Sequence, residues 1–296
     1  MTPSRVLVPM AFLLVFAPVA LGDNPKAGAG RYPFEVEVRG KGAPMILIPG
    51  LSCSGAVWND TVKRFDKKFE CHVLTLAGFA GVPPQEGPFL VPVRDGIVRY
   101  IREKKLDRPV IVGHSIGGFL AYDLGITAPD FVGPLVVVDG LPFLPALMDE
   151  KTTEAQMKQA APAFAKRMAE AKKEDYIRQQ EATLALWIDD KAKRDLALKW
   201  GADSNQATVG KAMAEMMSRD LRDDVAKIKA PVLLVAAPVA FGVVTKEEAR
   251  KRYLAQVEKI SDKKVAVAAK SKHFVMIDEP EWLWQQVEEF AAANRK

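Results

Sequence analysis

The pentapeptide Gly113-His114-Ser115-Ile116-Gly117 is where residue types and spacing in this chain most directly suggest chemistry. A G-x-S-x-G pattern alone is weak, and its bland alternative is a plain glycine-rich turn. Here the β-branched run Val110-Ile111-Val112 precedes it, and a helical pattern from Phe119 to Thr127 follows it. A strand that turns sharply into a helix presents the serine hydroxyl at the tip of the turn. Small residues on both sides let such a turn close. Ser115 is therefore the candidate nucleophile.

A serine hydroxyl needs a base to become nucleophilic. The chain holds three histidines. His72 begins a predicted strand, at the sheet edge away from the carboxyl ends, and reads as a surface or packing residue. His114 adjoins the serine in sequence, so its side chain should point away from the serine's. His273 falls between the last predicted strand and the last helix, on the edge that carries Ser115. It is the candidate base. The oxyanion that forms when a serine attacks a carbonyl needs two donors. One is the backbone N–H of Ile116; the other belongs to the loop Ile48-Pro49-Gly50-Leu51-Ser52, where Gly50 lets the backbone turn inward and the Leu51 N–H is the candidate.

The elements that must position these groups alternate along the chain. Strand patterns cover Phe34–Arg39, Met45–Pro49, His72–Leu76, Pro109–Gly113, Pro134–Asp139, Pro231–Ala236 and Lys264–Ala269. Helical patterns cover Trp58–Phe69, Arg94–Lys105, Phe119–Thr127, Lys246–Ile260 and Glu281–Asn294. Most of the strands are continuous apolar runs, as expected of strands buried on both faces. This alternation predicts an α/β fold, with a mostly parallel sheet and helices on both faces. Residues 141–225 break the rhythm. They contain no convincing strand and are rich in Ala, Lys, Glu and Met, which predicts a helical lid inserted between two strands. The core then comprises residues 23–140 and 226–296. Leu141-Pro142-Phe143-Leu144-Pro145, Met213, Met216 and Met217 are candidates to line an apolar pocket.

Pro49-Gly50-Leu51, the Gly113-His114-Ser115-Ile116-Gly117-Gly118 turn and His273-Phe274 before a final helix resemble the α/β-hydrolase superfamily. The resemblance runs from about Tyr32 to the end of the chain and is nearest to capped, esterase-like serine hydrolases. Relatives that open epoxides or carbon–halogen bonds carry Asp at the turn, and Ser115 argues against those activities. The resemblance also implies a triad acid, most often after the next-to-last strand. Here Val232-Leu233-Leu234-Val235 is followed by no Asp or Glu before Glu247, which falls in the next predicted helix. Some relatives carry the acid after the preceding strand, where Asp139 stands. Asp139 is the expected acid and keeps the chain order Ser…Asp…His. Its bland alternative is a strand-ending Asp-Gly turn. Asp223 and Asp224 enter at the wrong edge. A Ser–His dyad is the other arrangement left open.

Composition bounds the partners. Of 296 residues, 49% are hydrophobic and 27% charged, enough for one large core or a core with an insert. The net charge of +5 is dispersed, with no basic stripe, so no nucleic-acid partner is expected. Three scattered histidines and two distant cysteines form no metal cluster, and no phosphate-binding glycine loop precedes a helix. Neither metal nor cofactor is expected. Arg5, the apolar run Val6–Ala20 and Ala20-Leu21-Gly22 predict a signal peptide over residues 1–22, cleaved before Asp23. The mature chain is then expected to be periplasmic or secreted, with no stable membrane insertion. Cys53 and Cys71 are placed at opposite edges of the sheet, farther apart than the roughly 7 Å between Cα atoms that a disulfide allows, and are predicted to be free thiols. The expected activity is hydrolysis of carboxylic esters of small to medium apolar substrates through an acyl-enzyme, without preference for highly charged ones. Lactone, thioester, amide or carbon–carbon bond hydrolysis on the same residues, or an inert ligand-binding protein of this fold, are the alternatives.

Overall fold

The computed structural model describes residues 32–241, 245–268 and 270–294. The predicted signal peptide lies outside the described residues. The short apolar runs form a seven-stranded sheet in the order β1-β3-β2-β4-β5-β6-β7. The strands are β1 (Phe34–Gly40), β2 (Ala43–Ile48), β3 (Phe69–Leu76), β4 (Val110–His114), β5 (Leu135–Val138), β6 (Val232–Ala236) and β7 (Lys263–Val267). Only β1 runs antiparallel, against β3, and every other neighbouring pair is parallel. Successive side chains of a strand point to opposite faces. Accordingly Ile111, Val137 and Leu234 enter one hydrophobic cluster while Val112, Val138 and Val235 enter the other. That double burial explains why the central strands read as unbroken apolar runs.

Helices cover both faces. The first cluster holds Ile97 of α2 (Leu90–Glu103), Leu120 of α3 (Ile116–Thr127) and Tyr253 of α9 (Lys246–Gln256). The second holds Phe65 of α1 (Asn59–Phe65), Val275 of α10 (Val275–Asp278) and Leu283 of α11 (Pro280–Asn294). Between β5 and β6 lies an all-helical insert: α4 (Pro145–Met148), α5 (Glu154–Glu170), α6 (Lys173–Trp187), α7 (Lys191–Asp203) and α8 (Gln206–Met217). Its side chains join both clusters, Tyr176 and Val209 the first, Leu184 and Trp200 the second. Among the described residues no helix is long and apolar enough to cross a membrane.

Several element boundaries differ from the sequence reading, among them the starts of α2 and α3 and the end of α9, and the largest consequence falls at β3. The helix expected to reach Phe69 ends at Phe65, and Phe69 already opens β3. Strand β3 begins early because it pairs with β1 along the whole stretch from Glu70 to Leu76. His72 therefore sits inside the strand rather than at its start. It is buried, with hydrogen bonds to the Tyr100 hydroxyl (2.7 Å) and Glu70 (3.0 Å), so it is a packing residue and not a surface one. Cys71 is likewise inside β3, opposite Met45 at the start of β2, whereas Cys53 follows the end of β2. Both cysteines are free and buried, and burial pushes both thiols up to about 12.

Candidate active site

Ser115 stands between the last residue of β4 and the first of α3. Its backbone lies at φ 55° and ψ −118°, a conformation that a non-glycine residue adopts only under constraint from its surroundings. The constraint is packing. A Cβ on Gly113 would lie 2.1 Å from the Gly117 carbonyl oxygen, and a Cβ on Gly117 would lie 2.4 Å from that of Ile48. The tight turn thus exists because both flanking positions lack a side chain. It leaves Ser115 half-buried at the wall of a cavity that His273 and Asp139 also line.

The loop after β2 approaches the same turn. A Cβ on Gly50 would fall 3.5 Å from the Ser115 Cβ and 2.7 Å from His114 Nδ1. The next residue is Leu51. Ile116 is the first residue of α3, and the leading N–H groups of a helix have no intrahelical acceptor. Neither the Ile116 nor the Leu51 N–H donates a hydrogen bond within the described residues.

His273 comes from the segment between β7 and α10. Its Nδ1 lies 2.6 Å from Asp139 Oδ2, and both side chains are buried. Asp139 follows the last residue of β5 and has a positive φ of 47°, held by its N–H donating to the Val235 carbonyl at 2.8 Å. Its other oxygen, Oδ1, accepts from the Ala237 N–H (3.0 Å) and from the Tyr253 hydroxyl (2.7 Å). The carboxylate is therefore gripped from β6 and α9 on one side and faces the imidazole on the other. Burial, with the Asp139 charge alongside, holds the Tyr253 hydroxyl well above the usual phenol range, so it stays a donor.

His114 does not reach the serine, but it does touch the base. Its Nε2 is 3.1 Å from the His273 carbonyl oxygen, and the two rings lie 4.6 Å apart between centroids. A carbonyl only accepts, so Nε2 carries the proton. Burial, with His273 beside it, holds His114 well below the usual histidine range and keeps it neutral. The Trp187 ring, at the end of α6, packs on His273 with centroids 4.7 Å apart.

The structure brings Ser115, His273 and Asp139 to one cavity wall, with Leu51 and Ile116 on the adjoining backbone. Asp223 and Asp224 instead pair with Lys259 and Lys227. Tyr253, His114 and Trp187 are contributions that sequence reasoning missed. The cavity holds about 520 Å³, within the usual range for small-molecule sites. Leu141, Leu144, Met213, Met216 and Met217 line it, together with Phe164 of α5, whereas Pro142, Phe143 and Pro145, also expected there, do not border it.

Comparisons with known proteins bear on the family and the fold. The chain is 25% identical over 203 residues to the pimeloyl-[acyl-carrier protein] methyl ester esterase of Aliivibrio salmonicida (strain LFI1238), covering 66% of this chain and 74% of that protein. It is 26% identical over 262 residues to the esterase of the same name from Vibrio vulnificus (strain CMCP6), covering 86% and 96%. Among solved structures, a hydrolase from Pseudomonas aeruginosa PA01 superposes with a TM-score of 0.72 at 16% identity, covering 89% of this chain and 99% of that one. A model of the alpha/beta hydrolase family matches residues 45–286. The chain belongs to the alpha/beta hydrolase family.

Proposed function

We propose that the protein is an exported serine hydrolase that cleaves carboxylic esters of small to medium apolar substrates through an acyl-enzyme. The observation that carries this reading is the convergence of Ser115, His273 and Asp139 on one apolar cavity. The relatives named as methyl ester esterases favour an ester over the other bonds.

In the first half-reaction His273 takes the proton of Ser115 as its Oγ attacks the ester carbonyl. Main-chain N–H groups of Leu51 and Ile116 hold the oxyanion. The tetrahedral intermediate collapses, and the alcohol leaves with the proton from His273. Water then attacks the acyl-enzyme, again giving its proton to His273, and the acid departs as Ser115 is restored. Asp139 fixes Nδ1 as the protonated nitrogen, so that Nε2 is the basic one, and stabilises the imidazolium. The insert walls one side of the cavity, with Phe164 of α5 and Met213 of α8 among its lining residues.

The test is ester turnover by S115A together with labelling by a fluorophosphonate. The expected outcome is loss of turnover by several orders of magnitude and covalent labelling of the wild-type chain alone. Full turnover by S115A refutes the scheme.

A further inference from the structure

Arg167 stands out among the cavity's lining residues. Among the described residues, and apart from Ser115, Asp139 and His273, the cavity is lined by Gly, Ala, Leu, Met, Phe and Trp, with Arg167 as the one charged side chain. Arg167 lies on α5, three residues after Phe164, and its guanidinium carbon is 5.6 Å from the Phe164 ring centroid. Both residues border the cavity. Arg167 is exposed whereas Ser115 is half-buried and His273 buried, which puts the arginine at the rim and the reacting atoms inside.

Its charge faces an aromatic ring but no carboxylate among the described residues. The acid one turn further along α5 is Glu170, and the ammonium 3.9 Å from it belongs to Lys166. Glu154, on the same helix, pairs with Lys158 at 2.7 Å. Among the described residues no carboxylate pairs with Arg167 and no acceptor binds it. A planar guanidinium suits a carboxylate in particular, because two parallel N–H donors match its two oxygens. The apolar lining between Arg167 and Ser115 disfavours a second charge along the way.

Resting on the hydrolase reading above, we propose that Arg167 is a subsite for one terminal carboxylate. The preferred substrate is then an ester with one carboxylate at the far end of an apolar chain; when the leaving group is methanol, that chain is the acyl one. A single rim charge is compatible with the apolar pocket expected from sequence.

The experiment compares kcat/KM of the purified full chain for three methyl esters of matched length. One carries an ω-carboxylate, one an ω-hydroxyl and one a plain alkyl end. The expected preference for the carboxylate is about fivefold at low salt, the upper range for an exposed ion pair, carried mainly by KM. It should shrink as ionic strength rises. R167Q brings the carboxylate-to-hydroxyl ratio near one, and R167K keeps part of it. A ratio taken on one preparation does not depend on how much of a variant folds. A wild-type ratio of one or less, or a ratio unchanged in R167Q, overturns the subsite. If no ester is turned over but a fluorophosphonate labels Ser115, the substrate class is overturned and the nucleophile stands. If Ser115 is also unlabelled, the hydrolase reading fails and the subsite with it.

Discussion

Asp139 makes two kinds of contact at once, and a single substitution separates them. In D139N the new amide keeps its oxygen toward the two donors, the Ala237 N–H and the Tyr253 hydroxyl. Its NH2 group must then face His273 Nδ1, which the carboxylate now approaches at 2.6 Å. Two donors cannot share that contact, so the imidazole moves its proton to Nε2 and loses the lone pair that would deprotonate Ser115. D139N should fold yet lose about three to four orders of magnitude in kcat, the scale seen when a triad acid becomes an amide. Measuring kcat beside a thermal melt checks this, and near-normal turnover removes Asp139 from the mechanism. Y253F acts one step further out. It strips one donor from a buried carboxylate, which costs about 1–3 kcal/mol. Denaturant unfolding should show that loss, with kcat reduced and KM little changed. Ser115 and His273 were legible in the sequence because each is announced by its immediate neighbours and by the few histidines available. Asp139 was legible only through its place in strand order. Tyr253 and Trp187 reach the site from α9 and α6, well separated from it along the chain, and no local pattern marks which face of a helix will turn toward a carboxylate or an imidazole.

At the scale of elements, the site depends on how closely β2, β4 and α3 approach one another. The clearest measure is Gly117, where a Cβ would sit 2.4 Å from the Ile48 carbonyl oxygen and 2.7 Å from that of Pro49. Neither contact is with a flexible side chain, so the backbone itself has to move. G117A should push the turn away from the loop that carries Leu51, misaligning serine and oxyanion donors together. Shifts on that scale cost kcat steeply even when the fold survives. A combined loss of stability and activity is expected, read by melting temperature and ester turnover, and a fully active G117A would contradict the packing argument. The glycine spacing was readable in the sequence because close packing leaves glycine no substitute. The length of β3 was not, because it is set by pairing with β1, from Phe34 opposite Leu76 to Gly40 opposite Glu70, a contact between segments distant in the chain that the polar residue Glu70 gives no hint of.

For the whole molecule, the predicted signal peptide and the buried histidines each give a prediction. The first is export: if residues 1–22 act as a signal, the mature protein should begin at Asp23, which N-terminal sequencing of material from the cell exterior or periplasm reads directly, and an intact Met1 there would refute it. The second concerns acid stability. His72 and His114 are both held below the ordinary histidine range, His72 mainly by burial and His114 by burial with His273 beside it. Unfolding releases both rings to a pKa of about 6.5. Between that value and the depressed native one, the unfolded chain binds more protons than the native chain, so stability rises with pH. The contribution of the two rings is complete above about pH 6.5 and declines as pH falls below it, by at most about 1.4 kcal/mol per pH unit for each ring. Their environments distinguish them. His72 has Glu70 at 3.0 Å to offset a positive charge, whereas among the described residues His114 has a carbonyl at one nitrogen and no hydrogen-bond partner at Nδ1. His114 should therefore carry the larger share. Urea unfolding at pH 7, 6 and 5 is expected to show a falling free energy whose slope drops more in H114Q than in H72Q. Equal slopes in H114Q and the wild-type chain would mean that the His114 ring is already charged in the native protein, against the burial that surrounds it.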